Sequence, residues 1–390
     1  MLTKEKVSLS LAKNSMHPFS KKSLCTAIAL CSTGLSSYAL AELSIETSEG
    51  WKFGVNGHVP VFAIFNDADA SEEDAFRITT GFNPATAQFN IYAPTQNGLD
   101  VSAHFQLNSH LAGADGVQNS GYGLEGKGRV SGVESRVAEV VVAGDFGTVN
   151  IGKGYGIFGT PAIGDHSSGM GVGFHDPNSG ASASGRIGNG YFYANFNPRV
   201  IYTSNDMNGL QYKIGAFQPE KPGADIRAET EMPRIEANIV WTGDDYSLWS
   251  SGFIQSVDSS DLAVDDFTMN GIDFGGSLSL GDLVFRANYS ITKGTGNGIV
   301  GGHGFADGAK EEKADQWYVE AIYNMNQMTL MGISHGEGSD DLDNSESEFS
   351  TLFTHHKITD SLTLMTELQY YDNNTGGDYN AVILGSQFTF

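Results

Sequence analysis

The sequence predicts an all-β chain that closes into a transmembrane antiparallel β-barrel of about sixteen strands. Three observations carry that expectation. Apolar and polar residues alternate with period two over segments longer than the roughly five or six residues usual in globular strands. The connections between segments are sorted, short turns alternating with long polar loops. The last segment sets Val382, Leu384, Ser386, Phe388 and Phe390 on one face and Ala381, Ile383, Gly385, Gln387 and Thr389 on the other, and it stops on an aromatic residue.

Taken in order, the first segment, 50–65, places Trp51, Phe53, Val55, Val59, Val61 and Phe65 on one side and Lys52, Asn56 and His58 on the other. The second, 76–93, contains Pro84 and is expected to kink there, because proline has no donor for the ladder. The third, 99–107, follows the turn dipeptide Asn97-Gly98, and the fourth and fifth, 135–144 and 148–154, flank Gly144-Asp145-Phe146-Gly147. Around the turn at 205–209 come 197–205 and 209–218, the latter alternating Leu210, Tyr212 and Ile214 with Gln211 and Lys213. Next are 232–242 and 246–257 around Gly243-Asp244-Asp245, with Ile235, Ala237, Ile239 and Trp241 set against Arg234, Glu236 and Asn238.

The tenth and eleventh, 269–280 and 283–292, flank Gly281-Asp282, and the eleventh opposes Leu283, Phe285, Ala287, Tyr289 and Ile291 to Val284, Arg286, Asn288, Ser290 and Thr292. Then follow 315–325 and 328–336 around 324–327, with Trp317, Val319, Ala321 and Tyr323 against Gln316 and Glu320. Segments 347–358 and 361–372 flank Thr359-Asp360, with Leu362, Leu364 and Leu368 against Thr363, Glu367 and Gln369, and 379–390 closes the set. The long connections are 108–133, 155–195, 219–230, 257–268, 293–314 and 336–346.

A soluble β-sandwich gives the same alternation by burying its apolar face, but it has no reason to segregate turn lengths. A membrane barrel does, with short turns at one rim and long loops at the other. No stretch beyond the N-terminal region approaches the 18 apolar residues of a spanning helix. Fourteen or eighteen strands would fit the same length.

The N-terminus reads as an export signal. Lys21 and Lys22 precede an apolar stretch at 24–35, and Ala39-Leu40-Ala41 offers the small-x-small site at which such a segment is cut. Residues 1–41 are therefore expected to be a signal peptide and 42–390 a single barrel domain; the stretch before Lys21 is long for such a signal, and Met16 is a second candidate initiator. Both cysteines, Cys25 and Cys31, lie in the signal, so the exported chain has no thiols for disulfides or metals. Leu30 before Cys31 is too large for a lipoprotein site.

Removing 1–41 takes five lysines and one glutamate from the 22 basic and 46 acidic residues, leaving 17 against 45 and a formal charge of −28. Such a surface repels nucleic acid, which is disfavoured as a partner. Glycine is frequent at 49 and proline scarce at 10, which suits many turns between long strands.

The ordered local stretches resemble those of the Gram-negative general porins. Ser135-Arg136-Val137-Ala138-Glu139-Val140 leading into Gly147-Thr148-Val149-Asn150-Ile151-Gly152-Lys153 is similar to that family's fourth strand, tight turn and fifth strand. Asn97-Gly98-Leu99 with Phe105-Gln106-Leu107 resembles its second turn and third strand, and Arg199-Val200-Ile201-Tyr202-Thr203-Ser204 with Asn208-Gly209-Leu210 its sixth strand and hairpin. The resemblance covers 42–390 and implies a homotrimeric, sixteen-stranded outer-membrane diffusion channel. It also implies that Phe390, with Phe388, belongs to the assembly signal, and that 155–195 is a third loop folded into the barrel.

In such a loop, acids face basic residues on the wall. The loop acids here are Asp165 and Asp176, with His166 and His175 beside them; the wall candidates are Arg77, Arg136, Arg199, Lys213, Arg234 and Arg286. The usual proline-glutamate-phenylalanine-glycine run of the loop is missing. Glu139, Glu236, Glu320 and Glu367 are placed on polar strand faces, and further acids crowd the loops at 67–74 and 337–348. Rings of one sign concentrate counter-ions, so a mild cation preference is expected, the other reading being that loop acids face the medium or bridge lipopolysaccharide through divalent ions.

Apparent catalytic motifs lack their context. Gly154-x-Gly156-x-x-Gly159 is followed by Thr160-Pro161 rather than a helix, and Gly121-x-x-x-x-Gly126-Lys127 by Gly128 rather than Ser or Thr. Asp67-x-Asp69-x-Ser71 lacks the glycine and distal glutamate of a calcium loop, and His355-His356 point to opposite faces of a strand. No catalytic residue, cofactor or metal site is expected. Trp51, Trp241, Trp317, Tyr202, Tyr289, Tyr323 and Phe390 suit interface girdles, while Phe217 and Tyr318 are either packing residues or sugar-stacking platforms. The functional expectation is passive diffusion of ions and small hydrophilic solutes; the alternatives are a substrate-selective pore, for instance for oligosaccharides, or a barrel-borne enzyme or adhesin.

Overall fold

The computed structural model describes residues 42–68, 75–80, 84–109, 133–166, 186–219, 228–259, 266–296, 312–341, 344–374 and 378–390. Each alternating segment becomes a strand. These are β1 (Lys52–Ala68), β2 (Ala75–Thr79 and Ala85–Tyr92), β3 (Asp100–Ser109), β4 (Val133–Glu134 and Ala138–Gly144), β5 (Gly147–Tyr155), β6 (Phe196–Thr203), β7 (Leu210–Phe217) and β8 (Ala228–Glu229 and Arg234–Thr242). The second half comprises β9 (Tyr246–Ser259), β10 (Phe267–Leu280), β11 (Leu283–Lys293), β12 (Lys313–Asn324), β13 (Thr329–Asp340), β14 (Ser345–Lys357), β15 (Leu362–Asn373) and β16 (Tyr379–Thr389). β2 is interrupted next to Pro84, as a residue without a backbone donor requires.

Every strand pairs antiparallel with its sequence neighbours, and β16 pairs with β1 from His58↔Thr389 to Ala68↔Tyr379, so the sheet closes on itself. Closure removes the free edges that would leave ladder donors and acceptors unpaired in lipid. The seam is completed by both ends of the described chain. Phe390 exchanges two backbone hydrogen bonds with Gly57, at 3.0 and 2.8 Å. Just beyond it in the same lane, the short strand Leu43–Glu46 pairs with β1 through Leu43↔Val55.

Turn chemistry fixes the register at the short-turn rim. Asn97 and Gly98 have φ of 55° and 75°, and Asn208 and Gly209 60° and 88°, the paired left-handed conformations of a two-residue hairpin turn. The two faces then separate as the period demands. On β8, Ile235, Ile239 and Trp241 are exposed on the outside while Arg234, Glu236 and Asn238 are buried inside. Trp51, Trp241, Tyr289 and Tyr323 stand on the outer face with the apolar belt. Among the described residues no helix is long and apolar enough to cross a membrane, which says nothing of crossing by strands.

One expectation needs correction. Residues 336–346 are not a long loop: the ladder of β13 and β14 continues to Asp340↔Ser345, leaving a connection of 341–344. The glycine-rich, acidic composition there reads as loop, but backbone pairing needs no apolar side chains. The inner wall also carries apolar residues. Phe62, Ile64, Phe349, Met365, Tyr371, Tyr379, Ala381 and Ile383 form a buried apolar cluster on the inner faces of β1 and β14–β16.

Candidate functional site

Inside the barrel, 155–166 and 186–195 lie against the inner wall from β8 to β14. The path starts at Gly156, whose N–H bonds Asn195 O at 3.1 Å and thereby ties the two ends of the segment together. An added Cβ at Gly156 would sit 2.3 Å from Ala194 O, so only glycine permits this approach. Glu236 on β8 then accepts the N–H groups of Ile157 at 2.5 Å and Phe158 at 2.9 Å, and holds Arg234 Nε at 2.7 Å. Gly159, at φ 76°, directs its N–H to Ser251 Oγ and to Asp273 Oδ2, both at 3.2 Å. Asp273 is in turn fixed by the Ser251 N–H at 2.7 Å and hydroxyl at 2.6 Å.

Further along, Arg286 on β11 donates to Pro161 O and to Tyr318 Oη, the latter at 2.9 Å, and Tyr318 donates to Ala162 O at 2.8 Å. A 3-10 turn, Ala162–Gly164, leads to Asp165 and to His166, whose N–H reaches both oxygens of Glu320 at 3.1 and 3.0 Å. On the return, Arg186 Nε lies 3.5 Å from Asp165 Oδ2, and its guanidinium donates to Phe349 O at 3.2 Å over the Phe349 ring. Asn189 donates to Ser347 Oγ at 2.5 Å, Gly190 N–H to Gln316 Oε1 at 3.0 Å, and Asn288 to Gly190 O at 3.1 Å.

Three carboxylates of the wall thus bind backbone donors of the inward segment, and one wall guanidinium binds the Pro161 carbonyl. Each is a charge-assisted bond in a buried setting, where such bonds are roughly twice as strong as neutral ones. The segment's position is set by the wall rather than by its own glycine-rich sequence.

The sequence candidates fall as follows. Arg199 on β6 pairs with Glu139 on β4 at 2.9 Å, and Asn150 donates to the same carboxylate at 3.1 Å. Arg136 is buried with its guanidinium 4.8 Å from the Phe196 ring. Lys213 is half-buried on the inner face of β7, and Arg234, Arg286, Glu320 and Glu367 are all on inner faces. Glu367 is fully buried, accepting from Gln369 at 2.6 Å and Thr351 at 3.4 Å. Asp165 lies beside the segment's own Arg186. The backbone of Arg77 pairs with Ile64, while its side chain, Asp176, His175 and the motif at 121–128 lie outside the described residues. Phe388 is on the outer face with its ring 6.0 Å from that of Phe390.

Phe217 and Tyr318 offer no free ring face: Arg234 lies 5.3 Å over the first and Arg186 5.8 Å over the second, and both rings are buried. Sequence reasoning missed Asp273, Ser251, Asn288 and Arg186. Asp273 was findable as an acid on the polar parity of its strand; Arg186 sits in a Gly/Ser-rich stretch without periodicity and carried no signal.

A family model described as Gram-negative porin matches residues 25–376. No curated protein matches the sequence. Among solved structures the chain is similar to the outer membrane channel DcaP of Acinetobacter baumannii, with a TM-score of 0.66 at 15% identity over 89% of this chain and 99% of that one. It is similar to an anion-selective porin from Comamonas acidovorans, TM-score 0.63, 13% identity, 87% and 100% covered. A third is the trimer form of OmpT from Vibrio cholerae, TM-score 0.56, 12% identity, 87% and 99% covered. At these identities the structural likenesses speak for the fold alone.

Proposed function

This chain belongs to the Gram-negative porin family, and on that premise we propose that it is a passive diffusion channel for ions and small hydrophilic solutes, mildly preferring cations. The observation that carries the reading is the inward segment held across the inner faces of β8–β14 by Glu236, Asp273, Arg286 and Glu320. On this reading the segment narrows the barrel and leaves a path for water. Solutes then move down their gradients, and no bond is made or broken.

The constriction is proposed to be lined from the group Asp165, Asp176, Arg77, Arg136, Arg199, Lys213, Arg234, Arg286, Glu139, Glu320 and Glu367. Among the described residues inside the barrel, several acids and bases are tied to one another, as in Arg199–Glu139 and Arg234–Glu236. The preference for cations is therefore assigned to the acidic excess of the mature chain, concentrated at the loop-side rim by residues such as Asp340, Asp341 and Glu346. An electrostatic excess at a pore mouth raises the local concentration of counter-ions.

The same reading has residues 1–41 removed on export, outer-membrane insertion aided by the terminal Phe390, contact with lipopolysaccharide at the acidic rim, and assembly as a homotrimer. The family and the trimer form of a similar structure support the last point. Liposome swelling with purified protein and neutral solutes of graded size tests the channel: swelling rates should fall smoothly with solute size, and an impermeable folded barrel would reject the reading. N-terminal sequencing of the mature protein should begin at Glu42.

A further inference from the structure

The outer wall near the loop-side rim carries a cluster that conduction does not use. His335 and Glu337 on β13 share the outward parity of exposed Ile333, and Glu348 on β14 that of exposed Leu352. Register sets Glu337 opposite Glu348 and Glu348 opposite Asp372 on β15, three acids in a row on adjacent strands. Like charges directly opposite one another destabilise a sheet unless something neutralises them. One ligand atom each from His335, Glu337 and Glu348 lies within 4.8 Å of the others, the one such set of three among the described residues. The imidazole is oriented from outside the set: its Nδ1 bonds Ser350 Oγ at 2.7 Å, and the Trp317 ring packs edge-on at 5.5 Å.

We propose that His335, Glu337 and Glu348 form a binding site for a borderline divalent cation of the zinc class on the barrel's outer wall. One imidazole and two carboxylates, with a fourth position open to water, is a ligand set that suits zinc, whereas calcium and magnesium take oxygen ligands. The spacing agrees. Two ligand atoms bound at about 2.0–2.1 Å in a tetrahedral sphere sit roughly 3.4 Å apart, and His335 Nε2 lies 3.4 Å from Glu337 Oε1. In the tautomer whose Nδ1–H donates to Ser350 Oγ, Nε2 presents its lone pair to the carboxylates, the arrangement that fixes a ligating histidine. A protonated His335 paired with Glu337 would account for one carboxylate; it leaves unexplained the second acid brought to the same point.

The test is calorimetric titration of untagged, metal-stripped, folded protein in detergent with zinc chloride, and separately with calcium chloride. Expected are one zinc ion per chain, affinity lowered about tenfold or more in H335A and E348Q and measurably in S350A, and no change in H356A. The last removes another exposed histidine of β14, bonded to Thr329 Oγ1 at 2.8 Å. Absence of zinc heat, binding as tight in H335A as in the parent, or calcium bound as tightly as zinc would overturn the site. Should H335A fail to fold, the near-isosteric E348Q carries the same comparison.

Discussion

The carboxylate of Glu236 accepts the backbone N–H of Phe158 at 2.9 Å, joining the inner wall of β8 to the inward segment almost eighty residues earlier in the chain. The same relation recurs between Asp273 and Gly159 and between Glu320 and His166. Wall acids therefore act as anchors for a backbone as well as charges on the inner wall. The order of the anchors, β8 then β10 then β12, matches the direction in which the segment runs.

Removing the first anchor should free the start of the segment while leaving the sheet intact. E236A strips one partner from buried Arg234 and the acceptor from two backbone donors, and losing one member of a buried pair costs on the order of 3–5 kcal/mol. Circular dichroism should still report a full β-barrel, limited proteolysis should gain cleavage within 155–195, and E236Q, which keeps one acceptor, should fall between the two.

Gly159 should tolerate no side chain. Its φ is 76°, and an added Cβ would lie 2.2 Å from Phe192 O, a backbone atom that cannot swing aside. G159V is expected to displace the segment and raise the permeability to larger neutral sugars in swelling assays, whereas G98A, at a turn where nothing lies within 4 Å of the added atom, should leave permeability at the parent value.

Charge removal at the wall should move selectivity in opposite directions. R286A deletes a cation beside Pro161 and Tyr318, and E320Q an anion beside His166. Zero-current potentials across a KCl gradient should shift toward cation preference in the first and toward anion preference in the second, and equal potentials in both would remove these residues from the conduction path.

Much of this architecture was legible in the sequence because period two and turn residues are local properties. Asn97-Gly98 and Asn208-Gly209 announced hairpins whose φ values follow from asparagine and glycine alone. The extension of β13 and β14 to Asp340 and Ser345 was not legible, since Gly336, Gly338 and Asp340 carry no strand propensity and pair because their neighbours do. The site was read as a set of residue types but not as a set of partners. Parity put Glu236, Arg286 and Glu320 inside; it gave no indication that their partners would be backbone atoms, or that Arg186 would return to Asp165. Those pairings depend on the three-dimensional path of a segment without periodicity.

Deleting Phe390 should impair assembly more than conduction. Its backbone closes the seam against Gly57 with bonds of 3.0 and 2.8 Å, and an added Cβ at Gly57 would lie 2.9 Å from the Phe390 ring and 2.1 Å from Thr86 O. Cells producing the truncated chain should yield far less heat-modifiable protein in the outer membrane, with the barrels that do form conducting as the parent does. G57V should reproduce the assembly defect.

The most direct test of a water-filled, passively conducting barrel is single-channel recording of the purified protein in planar bilayers over a series of KCl concentrations. Expected are discrete, ohmic openings whose conductance rises with bulk conductivity and whose reversal potential in a salt gradient has the sign of weak cation preference. Folded protein that inserts without conducting, or that conducts with anion preference, would contradict this reading.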